Sequence, residues 1–217
     1  MFLDANNKVN WLRIFWAALI VVGIVLGGVY YFDVPVSEYL RQFDCVGLKR
    51  FSRIFGVKYW LLISGIIVIL FYIKKSLHEK PKFSLSDFYN KIKGSYAFWV
   101  FCSVIIATGM GGVLKFIIGR IRPIAYGMYA MPNFLHFARD DAFHSMPSGH
   151  TFASFAGLVM IGMVWPRSRW FMWTLATVIG VSRICLGKHW PSDVILGAFI
   201  GIVAATVTRA WFARRTK

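Results

Sequence analysis

The chain has 217 residues, of which 58% are hydrophobic and 18% aromatic, with a mean hydropathy of +0.59. This is too apolar for an ordinary soluble domain, and it argues against nucleic acid as the partner behind a net charge of +16, because the 25 Lys and Arg residues fall mainly in connectors and at the ends of apolar runs. The composition predicts one all-α integral membrane domain over residues 1–217, with the cations answering to lipid headgroups and membrane topology.

Residues 11–31 form the first apolar run, long enough for the ~20 residues that cross a bilayer. It exceeds a secretory signal core and has no Ala-x-Ala-like cleavage site after it, so a retained span is expected. Between residues 36 and 55, Val36, Leu40, Phe43, Phe51 and Ile54 recur at helical intervals among Arg41, Lys49, Arg50 and Arg53, the pattern of an amphipathic interfacial helix. A solvated loop is the alternative. Residues 57–73 make a second span with Tyr59, Trp60 and Tyr72 as interface anchors, and the lysine-rich stretch 74–95 reads as a connecting loop.

A third span covers 96–118 and contains Gly109, Gly111 and Gly112, which predict close helix approach. The connector 119–146 should border a site. Spans at 151–165 and 170–186 are joined by a tight turn, and a sixth at 193–211 carries Gly197 and Gly201 in a packing spacing. Cys45, Cys102 and Cys185 have neither paired nor metal-like spacing and read as packing residues.

Six spans put both termini on one side. With that side inside, it holds 14 of the Lys and Arg residues against 11 opposite, and six of the 11 (Lys115, Arg120, Arg122, Arg139, Arg183 and Lys188) lie in or beside polar motifs. The positive-inside bias therefore predicts cytoplasmic termini and an active site on the outer face, at the helix ends.

Three polar islands interrupt the apolar sequence: Lys115 through Arg122-Pro123, Pro147-Ser148-Gly149-His150, and Ser182-Arg183 through His189 to Asp193. Charged groups at membrane-helix ends are expensive and ask for a function. His189 and Asp193 are four apart, so on a helix they share a face and the carboxylate can orient the imidazole, making His189 a candidate nucleophile. Pro147-Ser148-Gly149 before an apolar run reads as a helix start suited to an anion, with His150 within reach as proton donor. Lys115, Arg122 and Arg183 supply fixed positive charge for phosphate oxygens. Lys188 and Arg120 read equally well as secondary phosphate contacts or as snorkelling side chains, and His144 as a possible headgroup contact.

This pattern resembles the complete signature of the type 2 phosphatidic acid phosphatase superfamily, and the six-span layout is similar to its membrane branch. The resemblance implies a lipid phosphatase that works through a phosphohistidine. His189, His150 and Asp193 are then catalytic, and Lys115, Arg122, Ser148, Gly149 and Arg183 bind the phosphate. It implies no cofactor and no metal, and no acidic and histidine ligand cluster stands in the sequence. The soluble vanadate-dependent haloperoxidases share the residue pattern but not the spans. Partners are the bilayer and a lipid phosphate or diphosphate such as lipid A, undecaprenyl diphosphate or phosphatidylglycerol phosphate, with no nucleic acid and no obligate protein partner. The layout resembles bacterial inner-membrane members with the site facing the periplasm. A lipid-to-lipid phosphotransferase would use the same residues, whereas a transporter would place polar groups at mid-membrane.

Overall fold

The computed structural model describes residues 2–78, 84–127 and 133–213. Among them the regular structure is helical, with isolated bridges at Leu3–Val9 and Arg120–Phe134. The helix α1 (Trp11–Gly27) starts at Asn10, whose side chain accepts the Arg13 N–H, and passes through a π-turn at Gly28–Phe32 into α2 (Asp33–Arg41). The π-turn brings Gly28 so close to the last helix that a β-carbon there would lie 2.8 Å from the Ser192 Cβ. Only glycine permits that approach.

In place of a single interfacial helix over 36–55, two short helices form, α2 and α3 (Val46–Arg53). The break falls at Cys45, which is extended and accepts the Leu48 N–H on its sulfur, so it starts a new helix. The second long helix, α4 (Val57–His78), runs beyond the predicted end at Ile73. The connector after it is also more ordered than its lysine content predicts. It contains α5 (Leu85–Ile92), capped by the Ser84 hydroxyl and stitched by an Asp87–Lys91 ion pair one turn apart. Lys80 and Lys82 lie outside the described residues.

Next come α6 (Tyr96–Ile118), α7 (Gly149–Val164), α8 (Arg169–Cys185) and α9 (Pro191–Ala213). Helix α7 is the axis: Thr151 through Met160 are all buried, and α6, α8 and α9 surround it. Gly197 and Gly201 let α9 lie directly against the α7 backbone, since a β-carbon at Gly201 would meet the Phe152 carbonyl oxygen at 2.6 Å. In α6 that task falls to Gly111 alone, which lies under the Phe152 ring, while Gly109 and Gly112 have nothing near them.

The outer helices are apolar on the surface. Trp11, Phe15, Trp16, Leu19 and Ile20 of α1 and Leu62, Ile63, Ile66 and Leu70 of α4 are exposed, the reverse of a water-soluble fold. Four helical stretches, Trp11–Arg41, Val57–Leu77, Tyr96–Ile118 and Pro191–Ala213, are long and apolar enough to cross a membrane, and Gly149–Val164 is a shorter apolar helix. The protein is an integral membrane protein.

Candidate active site

Helix α6 ends where Gly119 adopts a left-handed conformation (φ +59°). A β-carbon there would overlap the Leu135 carbonyl, so only glycine allows the following connector to fold back on the helix end. The connector is fixed to itself and to the turn after α8: Ile121 N–H donates to the Asn133 carbonyl, Arg122 N–H to Ala142, Ser145 N–H to Arg120, and Ile124 N–H to Gly187. His144 belongs to this fastening, with Nε2 2.8 Å from the Ala138 carbonyl oxygen. His136 does the same work at Ile117. The three polar islands thereby meet at one end of the bundle.

His189 and Asp193 do not share a helix face. Helix α9 begins at Pro191, so His189 lies in the loop before it and Asp193 in the first turn. Asp193 reaches back to accept the Trp190 N–H at 2.8 Å, the half of a capping box that the third helical residue supplies. The imidazole is held instead by the backbone: His189 Nδ1 lies 2.8 Å from the Ser145 carbonyl oxygen, with Asp193 Oδ2 at 3.7 Å. A carbonyl only accepts, so Nδ1 carries the proton and Nε2 keeps its lone pair. Ser145 joins both groups, since its hydroxyl donates to Asp193 Oδ2 at 2.5 Å.

The remaining oxygen of Asp193 belongs to a buried ionic network that the sequence reading missed. Arg120 donates one nitrogen to Asp193 Oδ1 at 2.9 Å and another to Asp33 Oδ2 at 2.7 Å, and Ser192 donates its hydroxyl and its N–H to the Asp33 carboxylate. Asp33, Arg120, Ser192 and Asp193 are all at most 5% exposed. Arg120 is therefore neither a phosphate contact nor a snorkelling side chain. It is the shared cation of two carboxylates.

The predicted phosphate binders surround this centre. Lys115 Nζ donates to the His144 carbonyl at 2.6 Å, and its side chain passes Gly149. Arg122 is held by Asp141, through the carbonyl and the carboxylate, both at 2.9 Å. Arg183 is 9% exposed and donates one terminal nitrogen to Ser52 of α3 at 2.8 Å, while its buried Nε has no hydrogen-bond partner. Ser148 is fully buried: its N–H is taken by the Asp193 carbonyl and its hydroxyl accepts from Thr151. Ser148 thus ties the starts of α7 and α9 together and leaves the first-turn N–H groups of Gly149 and His150 to face an anion.

His150 lies against Gly56, whose added β-carbon would be 3.4 Å from Nε2, and it feels Arg183, His189, Arg122 and Lys115 electrostatically. In the first loop, the Arg41 guanidinium packs over Gly187, two residues before His189, whereas Lys49 pairs with Asp44.

Burial pushes the His189 imidazole down from 6.5 to about 4, only partly opposed by Asp193, with Lys115 and Arg122 adding to the depression. It is neutral at physiological pH, as a nucleophile must be. Below pH 6.5 the unfolded chain gains a proton that the folded site refuses, so this group's contribution to stability is whole above 6.5 and is lost as pH falls towards 4. The expected cost is about 1.4 kcal/mol per pH unit in that window. Thermal unfolding in detergent at pH 7 and pH 5 checks it, and His189→Gln should flatten the slope.

Comparison with known proteins gives the family. The PAP2 superfamily model matches residues 96–217. The chain belongs to the PAP2 superfamily. Within it, the chain is 30% identical over 205 residues to the lipid A 1-phosphatase of Rhizobium etli, spanning 92% of this chain and 86% of that protein. It is 35% identical over 92 residues to phosphatidylglycerophosphatase B of Escherichia coli, which covers 39% of this chain and 35% of that one. The fold is also that of two solved structures: a transmembrane PAP2-type phosphatidylglycerolphosphate phosphatase from Bacillus subtilis (TM-score 0.59, 14% identity, 95% and 96% coverage) and Aquifex aeolicus LpxE (TM-score 0.53, 18% identity, 82% and 95% coverage).

The PAP2 residues singled out in the sequence are thus brought together. Ser145, Arg120, Asp33, Ser192 and Ser52 complete the site. A lone carboxylate directly after an apolar run, at Asp33, was the one available signal.

Proposed function

We propose that this chain is a lipid phosphatase that removes the phosphate from a lipid A-type substrate through a phosphohistidine, without metal. The observation carrying this reading is the Arg183 Nε, a buried donor with no partner, set with Lys115 and Arg122 around a neutral His189. An unsatisfied buried guanidinium edge in a cationic cluster matches a phosphate oxygen. Lipid A ranks first because the Rhizobium relatives that align over most of the chain are lipid A 1-phosphatases.

In this mechanism His189 Nε2 attacks phosphorus, and the P–O bond to the lipid breaks as N–P forms. The leaving oxygen takes a proton from His150. Asp193, 3.7 Å from the ring, balances the positive charge that arises on the imidazole. Lys115, Arg122, Arg183 and the Gly149 and His150 N–H groups hold the equatorial oxygens. Water, deprotonated by His150, then attacks phosphorus, and the N–P electron pair returns to Nε2 as phosphate leaves.

The proposed architecture is one PAP2 domain with six spans, α8 included, in a bacterial inner membrane. Its termini are cytoplasmic and its site faces the periplasm. A cysteine-free variant with a single Cys at Asn133 should react with an impermeant thiol reagent from the outer face of intact cells, and labelling only after the inner face is opened inverts this topology.

Phosphate release in detergent micelles, from lipid A, undecaprenyl diphosphate and phosphatidylglycerol phosphate presented singly, tests the function. The expected result is the highest kcat/KM on lipid A, with inorganic phosphate as product and turnover that survives EDTA. Phosphate appearing only on a second lipid would make the chain a phosphotransferase, and loss on chelation with rescue by one divalent ion would overturn the metal-free mechanism.

A further inference from the structure

The end of the bundle opposite the active site carries two adjoining cavities. One, of about 520 Å³, lies between α4, α6 and α7 and is lined by apolar side chains including Trp60, Ile63, Ile67, Phe71, Val100 and Ile161. The other, of about 250 Å³, is bordered by Trp99 and by Arg209 of α9. Gly94, Tyr96 and Val164 line both, so the two spaces meet. Along α6 the junction at Tyr96 is 19 residues from Lys115, and along α9 Arg209 is 16 residues from Asp193. At the α-helical rise these are separations of about 24–29 Å from the active site, close to the thickness of a hydrocarbon core.

Arg209 is unusual for a cation at a membrane boundary. Its guanidinium carbon stands 5.2 Å from the centroid of the Trp99 ring, and no ion pair joins it to a carboxylate among the described residues. A cation over a ring keeps its N–H donors, so a guanidinium held this way can still meet an acceptor. The same end carries Lys93, one residue before Gly94, Arg167 in the turn after α7, and Arg169 at the start of α8. A cationic pocket continuous with an apolar groove has the two chemistries of a phospholipid. From Trp60 to Phe71 the groove follows 11 residues of α4, about 16 Å, enough to hold much of an acyl chain.

We infer that this pocket and groove bind one anionic phospholipid of the opposite leaflet, with its phosphate on Arg209 and a chain between α4, α6 and α7. The lipid is not the substrate, whose phosphate belongs a membrane thickness away. It acts as a wedge that completes the packing between α4 and the core, where the helices leave a gap.

The test uses the full chain in detergent with added phosphatidylglycerol or phosphatidylcholine of identical acyl chains, reading thermal stability and affinity by titration. Phosphatidylglycerol should bind about five-fold more tightly, the factor that one cation contributes at a membrane surface. Arg209→Gln should erase that preference while turnover in phosphatidylcholine micelles stays unchanged. Ala97→Phe, which fills the groove, should weaken both lipids. Equal binding of the two lipids by the unaltered chain, a preference retained in Arg209→Gln, or the same stabilisation by inorganic phosphate alone would overturn the assignment. A raised substrate KM in Arg209→Gln would also overturn it, by giving the groove to the substrate.

Discussion

His189→Ala is expected to lower kcat by more than about 10⁴-fold, because it removes the group that forms the covalent intermediate in the proposed mechanism, and removing a nucleophile typically costs that much or more. The protein should stay folded and membrane-inserted, since the ring makes a single backbone hydrogen bond. His150→Ala is expected to cost about 10²–10⁴-fold, the range for a lost general acid, but only with a poor leaving group. An aryl phosphate, whose leaving oxygen needs no proton, should restore the first step in His150→Ala. The second step still lacks its base, so a phosphorylated enzyme should accumulate as an initial burst, labile in acid and stable in alkali. Quenched-flow measurement with a labelled phosphate reads this directly. Substantial turnover by His189→Ala, or a burst in His189→Ala as large as in the unaltered chain, would remove the mechanism.

Arg120→Met is expected to be the most destabilising single change near the site, by about 3–5 kcal/mol, because it leaves Asp33 and Asp193 buried as two uncompensated carboxylates. Arg120 touches no reacting atom in the proposed mechanism, so its part is to position and to set charge. Two carboxylates share one guanidinium, and the cluster keeps one net negative charge facing the imidazole that must become cationic. Removing the Asp33 charge with Asp33→Asn leaves the whole of Arg120 to Asp193 and should lower kcat with little change in KM. The acid limb of the kcat profile should move at the same time, since His189 also faces Lys115 and Arg122, with Arg183 and His150 beyond them. In Asp33→Asn/Arg120→Gln the buried charges fall to that of Asp193 alone, and about half of the lost stability should return, because one of the two orphaned carboxylates is neutralised while Asp193 stays unpaired. Chemical unfolding in detergent and steady-state kinetics on the same four proteins separate the two effects. A double variant as unstable as Arg120→Met would show that the network matters for its shape and not for its charge.

The long helices were legible because lipid demands unbroken apolar runs, and the convergence of the three motifs was legible because helix ends place charge at one depth. Local capping was not. The break at Cys45 depends on a sulfur acting as an N-cap, and α5 is held by Ser84 and by one lysine–aspartate pair inside what reads as a plain charge run. The misreading of His189 and Asp193 as a helical pair has a similar source. Pro191 starts the helix between them, so spacing by four no longer means one face. Ser145 carries no signal at all: it acts through its carbonyl as much as its hydroxyl, and every residue has a carbonyl. Arg120 stood in view among the motif cations, but its role depends on Asp33, 87 residues earlier in the chain.

That long reach has a bearing on biosynthesis. Asp33 enters the membrane with the first helix, while Arg120 arrives with the end of the third long helix and Ser192 only with the last. Until Arg120 arrives the carboxylate at the foot of α1 has no partner, and a lone charge at that depth keeps its helix close to the water. Chain order and docking order therefore differ: the first segment to be made is among the last to be seated. The clasp at Asp33 is complete only once α9 is made, so a chain that stalls before α9 holds that carboxylate by Arg120 alone and lacks both Ser192 hydrogen bonds, the kind of polar defect by which a membrane can tell an unfinished protein from a finished one.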